Sequence, residues 1–327
     1  MMESISLLVV SDQDIGSTVQ GEALLDNGNW IESAPVQNGR VWHHSNAPVH
    51  LWWRNESHLF SDYLDQTYHD LTDFVIKEVL FLSRHVAASG MPSLTLHCIG
   101  VLGVEPIGEP AEHGGRNGHA VPPSPRFASL FRRLNRIAVN HGLNNEFDIT
   151  LETTHHGPIL NSPSLFIEIG STEQHWGRKD AAEVWAEVLS EELGLESELI
   201  PQGNDRVVMV GIGGGHYAPR HRSILLNTSS LVGHLLAGYS LTMHHPGDNW
   251  DPLTGDLPLG PWRHSIDVAI EQTRKVFPNH LVVAHLDRKS FKGWQRQSIR
   301  RYLESIDVEI FRLADFEKYE SEIRESS

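Results

Sequence analysis

Apolar residues along the chain gather into short unbroken runs rich in Leu and β-branched side chains, and each run stops at a polar or glycine-bearing end. Residues 78–82 end in Ser83, Arg84 and His85, and residues 94–96 end in His97 and Cys98. The run 147–151 ends in Glu152, Thr153, Thr154, His155, His156, Gly157 and Pro158. Residues 165–167 run into Glu168, residues 207–212 into Gly213, Gly214, Gly215, His216 and Tyr217, and residues 281–284 into His285, Asp287 and Lys289. Such runs suit strands buried on both faces, and residues 5–10 predict one more.

Helical spacing lies between the strands. Phe127, Leu130, Phe131, Leu134, Ile137 and Ala138 share one helix face, as do Ala181, Val184, Trp185, Val188 and Leu189 ahead of Gly194. Residues 265–277 and 294–303 read as two further helices. The alternation predicts an α/β fold with a mixed, largely parallel sheet flanked by helices. It is read as one compound unit over residues 1–327, with 102–125 and 246–261 as surface loops.

In open α/β sheets ligands bind beyond the carboxyl ends of the strands. Six strand ends carry Arg84, His85, His97, Glu152, His155, His156, Glu168, His216, His285, Asp287 and Lys289, and parallel strands would bring them into one crevice. Extended alternation places Glu152, Thr154 and His156 on one face and His155 on the other. A Glu and a His so placed can ligate a metal or form a base with its orienting partner. They can equally be a strand end whose histidines bond main-chain carbonyls. Glu168, between Ile167 and Ile169, must be paired, metal-bound or shifted in pKa. Arg84 and Lys289 are its possible structural partners, and Asp287 with Lys289 can be a structural ion pair. His85 and His97 gain weight jointly rather than singly. The glycines 213–215 match neither the dinucleotide fingerprint nor a P-loop. Their amides could still cradle an oxyanion, or the turn could simply need φ > 0. Cys98 reads as a small buried hydrophobe, and His113, His119, His244 and His245 as solvated loop residues.

Composition changes the picture in two ways. The 327 residues hold a single Cys, which excludes a disulfide framework or Cys-rich zinc ribbon and fits a reducing, cytoplasmic compartment. The formal charge is −16, with 21 His besides, which argues against indiscriminate nucleic-acid binding. Two stretches break the acidic balance. Arg288, Lys289, Lys292, Arg296, Arg300 and Arg301 come without an acid, and so do Arg126, Arg132, Arg133 and Arg136. Each is a solvated helix face or a polyanion-binding patch. Residues 1–10 lack the basic start of a secretory signal, and 223–247, free of charged side chains, is broken by polar residues, so no membrane span is expected. No Gly-x-Ser-x-Gly and no His-Glu-x-x-His occurs, which leaves histidine and carboxylate chemistry, with or without a metal.

Seven segments in order carry a resemblance. They are Ser83 to His85, Leu94 to His97, Glu152 to Pro158, Glu168 to Glu173 with Trp176, Gly213 to Arg220, Val232 to Leu235, and Leu286 to Lys292. The set resembles the archaeal and plant type of D-aminoacyl-tRNA deacylase, closest to the plant branch, over nearly the whole chain except residues 102–125 and 244–261. The resemblance implies a zinc-associated esterase that removes a D-amino acid, or its aldehyde-modified form, from the 3′-terminal ribose of tRNA. It also implies a fold similar to the phosphorylase/hydrolase-like group that includes peptidyl-tRNA hydrolase.

The expected chemistry is hydrolysis of that ester by an activated water. Glu152, His155, His156 and His216 are the expected zinc ligands, and His156, His216, Glu168 and His85 the expected catalytic groups. Gly213, Gly214 and Gly215 are assigned to the oxyanion, and Tyr217, Arg84, His97, Asp287, Lys289, Lys292 and Arg296 to substrate binding. Of these, Lys289, Lys292 and Arg296 are assigned to the acceptor phosphates of tRNA. The expected protein is a monomer with no DNA or membrane partner. Two other readings stand beside it: a small-molecule hydrolase or phosphorylase, such as a nucleosidase or zinc aminopeptidase, and a non-catalytic RNA-binding stress protein.

Overall fold

The structure, a computed structural model, describes residues 3–103, 112–196 and 206–326. Strand β1 (Ser4–Ser11) leads into helix α1 (Ile15–Asp26) and then β2 (Trp30–Val36), β3 (Gly39–His44) and β4 (Val49–Arg54). Next come α2 (Leu64–Thr72), β5 (Val75–Arg84), β6 (Ser93–His97), and the two-residue strands β7 (Gly100–Val101) and β8 (His119–Ala120). The middle of the chain holds α3 (Phe127–Asn140), β9 (Asp148–Leu151), β10 (Ser164–Gly170), α4 (Glu173–Trp176) and α5 (Lys179–Leu193). The last third holds β11 (Val208–Ile212), α6 (Pro219–Asn227), β12 (Leu231–Leu236), α7 (Trp262–Val276), β13 (Val282–Leu286), α8 (Gly293–Ser305) and α9 (Leu313–Ser326).

One sheet has eight strands in the order β2-β3-β4-β1-β5-β10-β6-β9, and a second has three in the order β12-β11-β13. Strands β4, β1, β5 and β10 are parallel. Strands β6 and β9 pair in parallel with each other, but β6 runs against β10. The small sheet is wholly parallel.

Burial on both faces explains the unbroken apolar runs. From β5, Leu80 and Leu82 enter a core shared with α3 and α5, while Val79 and Phe81 enter another with Trp52, Leu64 and Tyr68. Every residue of the sequence-read stripe on α3 is buried, each worth roughly 1.5–3 kcal/mol for the larger side chains. The same core takes in Met209, Leu235 and Val283 of the small sheet, so apolar packing is continuous between the sheets. Backbone stitches add to it. Thr153 N donates to His216 O (2.9 Å), Thr154 N to Leu235 O (2.7 Å) and Ala218 N to Leu151 O (3.0 Å).

One basic stretch proves structural. Arg126 pairs with Glu78 (2.6 Å) and Glu192 (3.4 Å), Arg133 with Glu191 and Glu192, and Arg136 with Glu191. Arg132 ties down the carbonyls of Leu225, Thr228 and Ser230. These arginines therefore neutralise acids from β5 and α5 and hold backbone, and are not a free polyanion patch.

Residues 246–261 form no helix or strand. Of the expected loop 102–125, residues 104–111 lie outside the described residues. Of the remainder, Glu112, Arg116, Asn117, His119 and Pro125 are exposed, and Val121, Pro123 and Ser124 are buried. Among the described residues no helix is long and apolar enough to cross a membrane.

Candidate active site

The site forms where the chain leaving β9 meets the loop after β11. Glu152 directly follows β9 and bridges to Tyr217, and this antiparallel bridge brings His216 over its carboxylate. His216 Nε2 lies 2.8 Å from Glu152 Oε2, and His85 Nδ1, one residue past β5, lies 3.0 Å from Oε1. His155 Nε2 stands 3.6 Å from Oε2. Glu168 reaches in from β10, 3.2 Å from His85 Nδ1 and 3.6 Å from His97 Nε2. His97 is wholly buried and stacks on Phe166, its cross-strand neighbour.

This convergence does not come from a row of parallel carboxyl ends. Strand β6 runs against β10, so His97 arrives at its strand's end while Glu168 sits inside its own strand. The groups gather across one sheet face, because Glu168 and Phe166 share a face and His97 pairs with Phe166. The expected alternation from 152 to 156 also fails. Strand β9 stops at Leu151, and His156 is left-handed at φ 44° before Gly157 and Pro158. His155 therefore folds back toward Glu152, and His156 sits edge-on to His97 and Phe166.

Electrostatics set the protonation states. Burial opposes a charge on His85, but Glu152 and Glu168 outweigh it and raise its pKa to about 9. His97 is raised in the same way, chiefly by Glu168. Burial would lift Glu168, yet His85 and His97 hold it well below the usual carboxylate range. Burial and the neighbouring imidazoles push His155 well down and His156 down to about 3, so both are neutral near pH 7. His97, His155 and His156 each place Nδ1 against a main-chain oxygen: Cys98 (3.0 Å), Thr153 (2.7 Å) and Gly157 (2.7 Å). These contacts fix each ring and leave Nε2 as its free nitrogen.

Among the described residues, three groups have their possible metal-ligating atoms within 4.8 Å of one another inside each group: His85 with Glu152 and His216; His97 with His155 and His156; His97 with Glu152 and Glu168. The four expected ligands are divided between these groups, and His85 and His97 join them. Glu152 is 0% exposed, and neither of its oxygens accepts a hydrogen bond despite the imidazole nitrogens beside them. Its unsatisfied buried lone pairs would be met by a cation held together with the neighbouring imidazoles.

Other expected residues are placed differently. Glu168 pairs with neither Arg84 nor Lys289. Asp287 pairs with Arg220 (2.8 Å) and caps its own turn through Lys289 N (3.0 Å), so the expected Asp287–Lys289 pair is replaced. The glycine amides are largely spent. Gly213 N donates to Leu236 O (2.8 Å) and Gly214 N to Ser290 Oγ (2.7 Å), leaving Gly215 N the one available to an oxyanion. Tyr217 hydroxyl meets His85 Nε2 at 2.9 Å. Lys289 and Lys292 are exposed on the turn beside that loop, whereas Arg296 holds the carbonyls of Arg288 (3.1 Å) and Phe291 (2.8 Å).

A cleft of about 1140 Å³, open water at its mouth included, is lined by His85, His155, His156, Glu168 and His216. His58 and His113 line it as well. His113 looked like a solvated loop residue, yet its carbonyl accepts from Gly157 N (3.0 Å) and brings it to the wall. His234 was also missed. It is wholly buried on β12 and bonds Thr154 Oγ1 (3.0 Å), inside the Glu152–His156 segment. Its sequence signal was a lone histidine within an apolar run.

The family model described as D-aminoacyl-tRNA deacylase matches residues 72–311. A D-aminoacyl-tRNA deacylase of Arabidopsis thaliana is 43% identical over 317 residues, covering 95% of this chain and 99% of that protein. One of Methanosarcina acetivorans is 34% identical over 272 residues, covering 83% of this chain and 76% of that protein. The crystal structure of a conserved protein of unknown function aligns with TM-score 0.75 at 25% identity, over 97% of this chain and 98% of that one. The α/β architecture, the histidine–carboxylate cleft and these matches together establish that the chain belongs to the D-aminoacyl-tRNA deacylase family.

Proposed function

We propose that this chain hydrolyses the ester between a D-amino acid and the 3′-terminal ribose of tRNA, releasing both, and that zinc serves the reaction. The observation that carries this reading is Glu152. It is buried, it has imidazole nitrogens at 2.8 and 3.0 Å, and it accepts no hydrogen bond. Two imidazoles and a carboxylate are a donor set that suits zinc. Glu152, His85 and His216 would hold it, and zinc there would supply the Lewis-acid charge that makes water a nucleophile near neutral pH.

The remaining groups handle the proton and the developing charge. Glu168, ionised beside His97, is the base that takes a proton from the attacking water and returns it to the departing ribose oxygen. Gly215 N–H faces the carbonyl oxygen as it becomes an oxyanion. His156, neutral and with Nε2 free, borders the acyl group. Lys289 and Lys292 hold acceptor phosphates. The buried free thiol of Cys98 suits a reducing cytoplasm.

The test is hydrolysis of D- against L-tyrosyl-tRNA, before and after chelation and zinc add-back, with metal content measured in Glu152→Gln, His216→Ala and His156→Ala. Selective release from the D-ester, lost on chelation and restored by zinc, is expected. Metal is expected to be lost in E152Q and H216A and kept in H156A. Metal lost only in H156A moves the zinc to the His97–His155–His156 group. Binding of tRNA without cleavage, or turnover of a free nucleoside or peptide instead, overturns the reading.

A further inference from the structure

Among the described residues that line the cleft, Arg84 is the one Lys or Arg. Its guanidinium makes no hydrogen bond or ion pair with any described residue and lies over the Trp176 ring, 4.7 Å from its centre. The platform is fixed, since Trp176 Nε1 donates to His85 O at 2.7 Å. The backbone beneath is fixed too. Arg84 N donates to Asp14 Oδ2 at 3.0 Å, and the first turn of α1 presses on the side-chain stem so closely that a Cβ on Gly16 would stand 2.9 Å from Arg84 Cβ. Asp14, the carboxylate at its main chain, is engaged elsewhere. Its oxygens already accept from Ser17 N, Ser83 Oγ and Arg84 N.

An unpaired arginine stacked on an indole keeps its planar fork of donors free and preorganised, the arrangement that grips phosphate in bidentate fashion. Asp14 and Glu168 also lie in the cleft wall, so its charged groups other than the histidines and Arg84 are carboxylates. A polyanion end could approach only where positive charge meets it. We propose that Arg84, laid on Trp176, binds the phosphate on the 5′ side of the terminal nucleotide whose ribose carries the ester. The next residue, His85, reaches the candidate reaction centre, so this subsite and the chemistry leave one strand end together. The proposal rests on the function proposed above for this cleft.

The test measures calorimetric dissociation constants of adenosine 5′-monophosphate, adenosine and D-tyrosine for the zinc-loaded protein, wild type, Arg84→Gln and Arg84→Lys. Wild type should bind the monophosphate about 10-fold to 100-fold more tightly than adenosine, the range of a charge-assisted hydrogen-bonded pair. R84Q should bring that ratio close to one, and R84K should retain part of it. A ratio does not depend on the folded fraction, so a damaged preparation cannot imitate this result. Equal affinities in wild type, no measurable binding of either nucleotide, or an unchanged ratio in R84Q overturns the proposal. So does weaker D-tyrosine binding with the nucleotide ratio intact, which would make the anion the product carboxylate. A failed activity reading would look different: the phosphate preference would persist in a protein that releases no amino acid from D-aminoacyl-tRNA.

Discussion

Mild acid should unfold this protein through its buried neutral histidines, and His234 is the clearest case. It is 0% exposed, and burial lowers its pKa from 6.5 to about 4. The unfolded chain takes up the proton first, so the neutral histidine's contribution is whole above about pH 6.5 and lost progressively toward pH 4. At pH 5 the loss works out at about 2 kcal/mol, from 1.36 kcal/mol per pKa unit. His221, also 0% exposed and lowered to about 4 by burial, adds a similar amount. Together these approach about 4 kcal/mol, a large share of the roughly 5–15 kcal/mol that holds a typical protein folded. The assay is the urea midpoint followed by tryptophan fluorescence at pH 8, 6.5 and 5, with chelator present so that metal release contributes nothing. Wild type should lose stability steadily below pH 6.5, and His234→Gln should lessen the fall between pH 8 and 5 by about 2 kcal/mol. A midpoint constant from pH 8 to 5, or an H234Q slope equal to the wild type's, refutes the reasoning.

Zinc uptake at pH 7.5 should release about one proton, because the metal-free site holds one on His85, whose pKa stands near 9. Calorimetry in two buffers of different ionisation enthalpy reads the number, and an identical heat in both would contradict it. Gly213→Ala should cost roughly 1–3 kcal/mol and depress deacylation, since Gly213 has φ +101° and a Cβ would meet Phe291 at 2.8 Å; unchanged activity and melting temperature would show that the loop tolerates the strain. Glu78 accepts from Ser6 Oγ (2.9 Å), Ser124 Oγ (3.0 Å) and Arg126 Nε (2.6 Å), so Glu78→Ala should destabilise by about 3–5 kcal/mol, read from the denaturant midpoint. Neutralising Lys289 and Lys292 should make tRNA affinity less salt-dependent, by roughly 0.7–0.9 in log–log slope for each lost phosphate contact. Arg133→Gln should leave that slope unchanged, because Arg133 already faces Glu191 and Glu192.

Much of the candidate site was legible because its polar groups interrupt apolar strands. Glu168 stands out between two isoleucines, and Glu152, His155 and His156 follow a strand with no periodic role to fill. The partners were not legible. Arg84 and Lys289 were plausible mates for Glu168 by charge alone, but the reversed β6 puts His97 there instead. Glycine amides looked free because a sequence does not show that Leu236 and Ser290 already take two of them. The arginines of α3 looked like a patch because the acids that neutralise them lie in other elements, nearly 50 residues away or more.

Hydrophobic periodicity by itself determined the α/β class, the stripe of α3 and the strand ends where chemistry gathers, since period and run length are local properties of the chain. Motif order determined the family. Only the tertiary structure decided which histidine meets which carboxylate, which amides stay free and which arginine stays unpaired. Those outcomes depend on strand direction, on a left-handed turn at His156 and on competition among buried groups for partners. All of these are settled by packing between segments far apart in sequence.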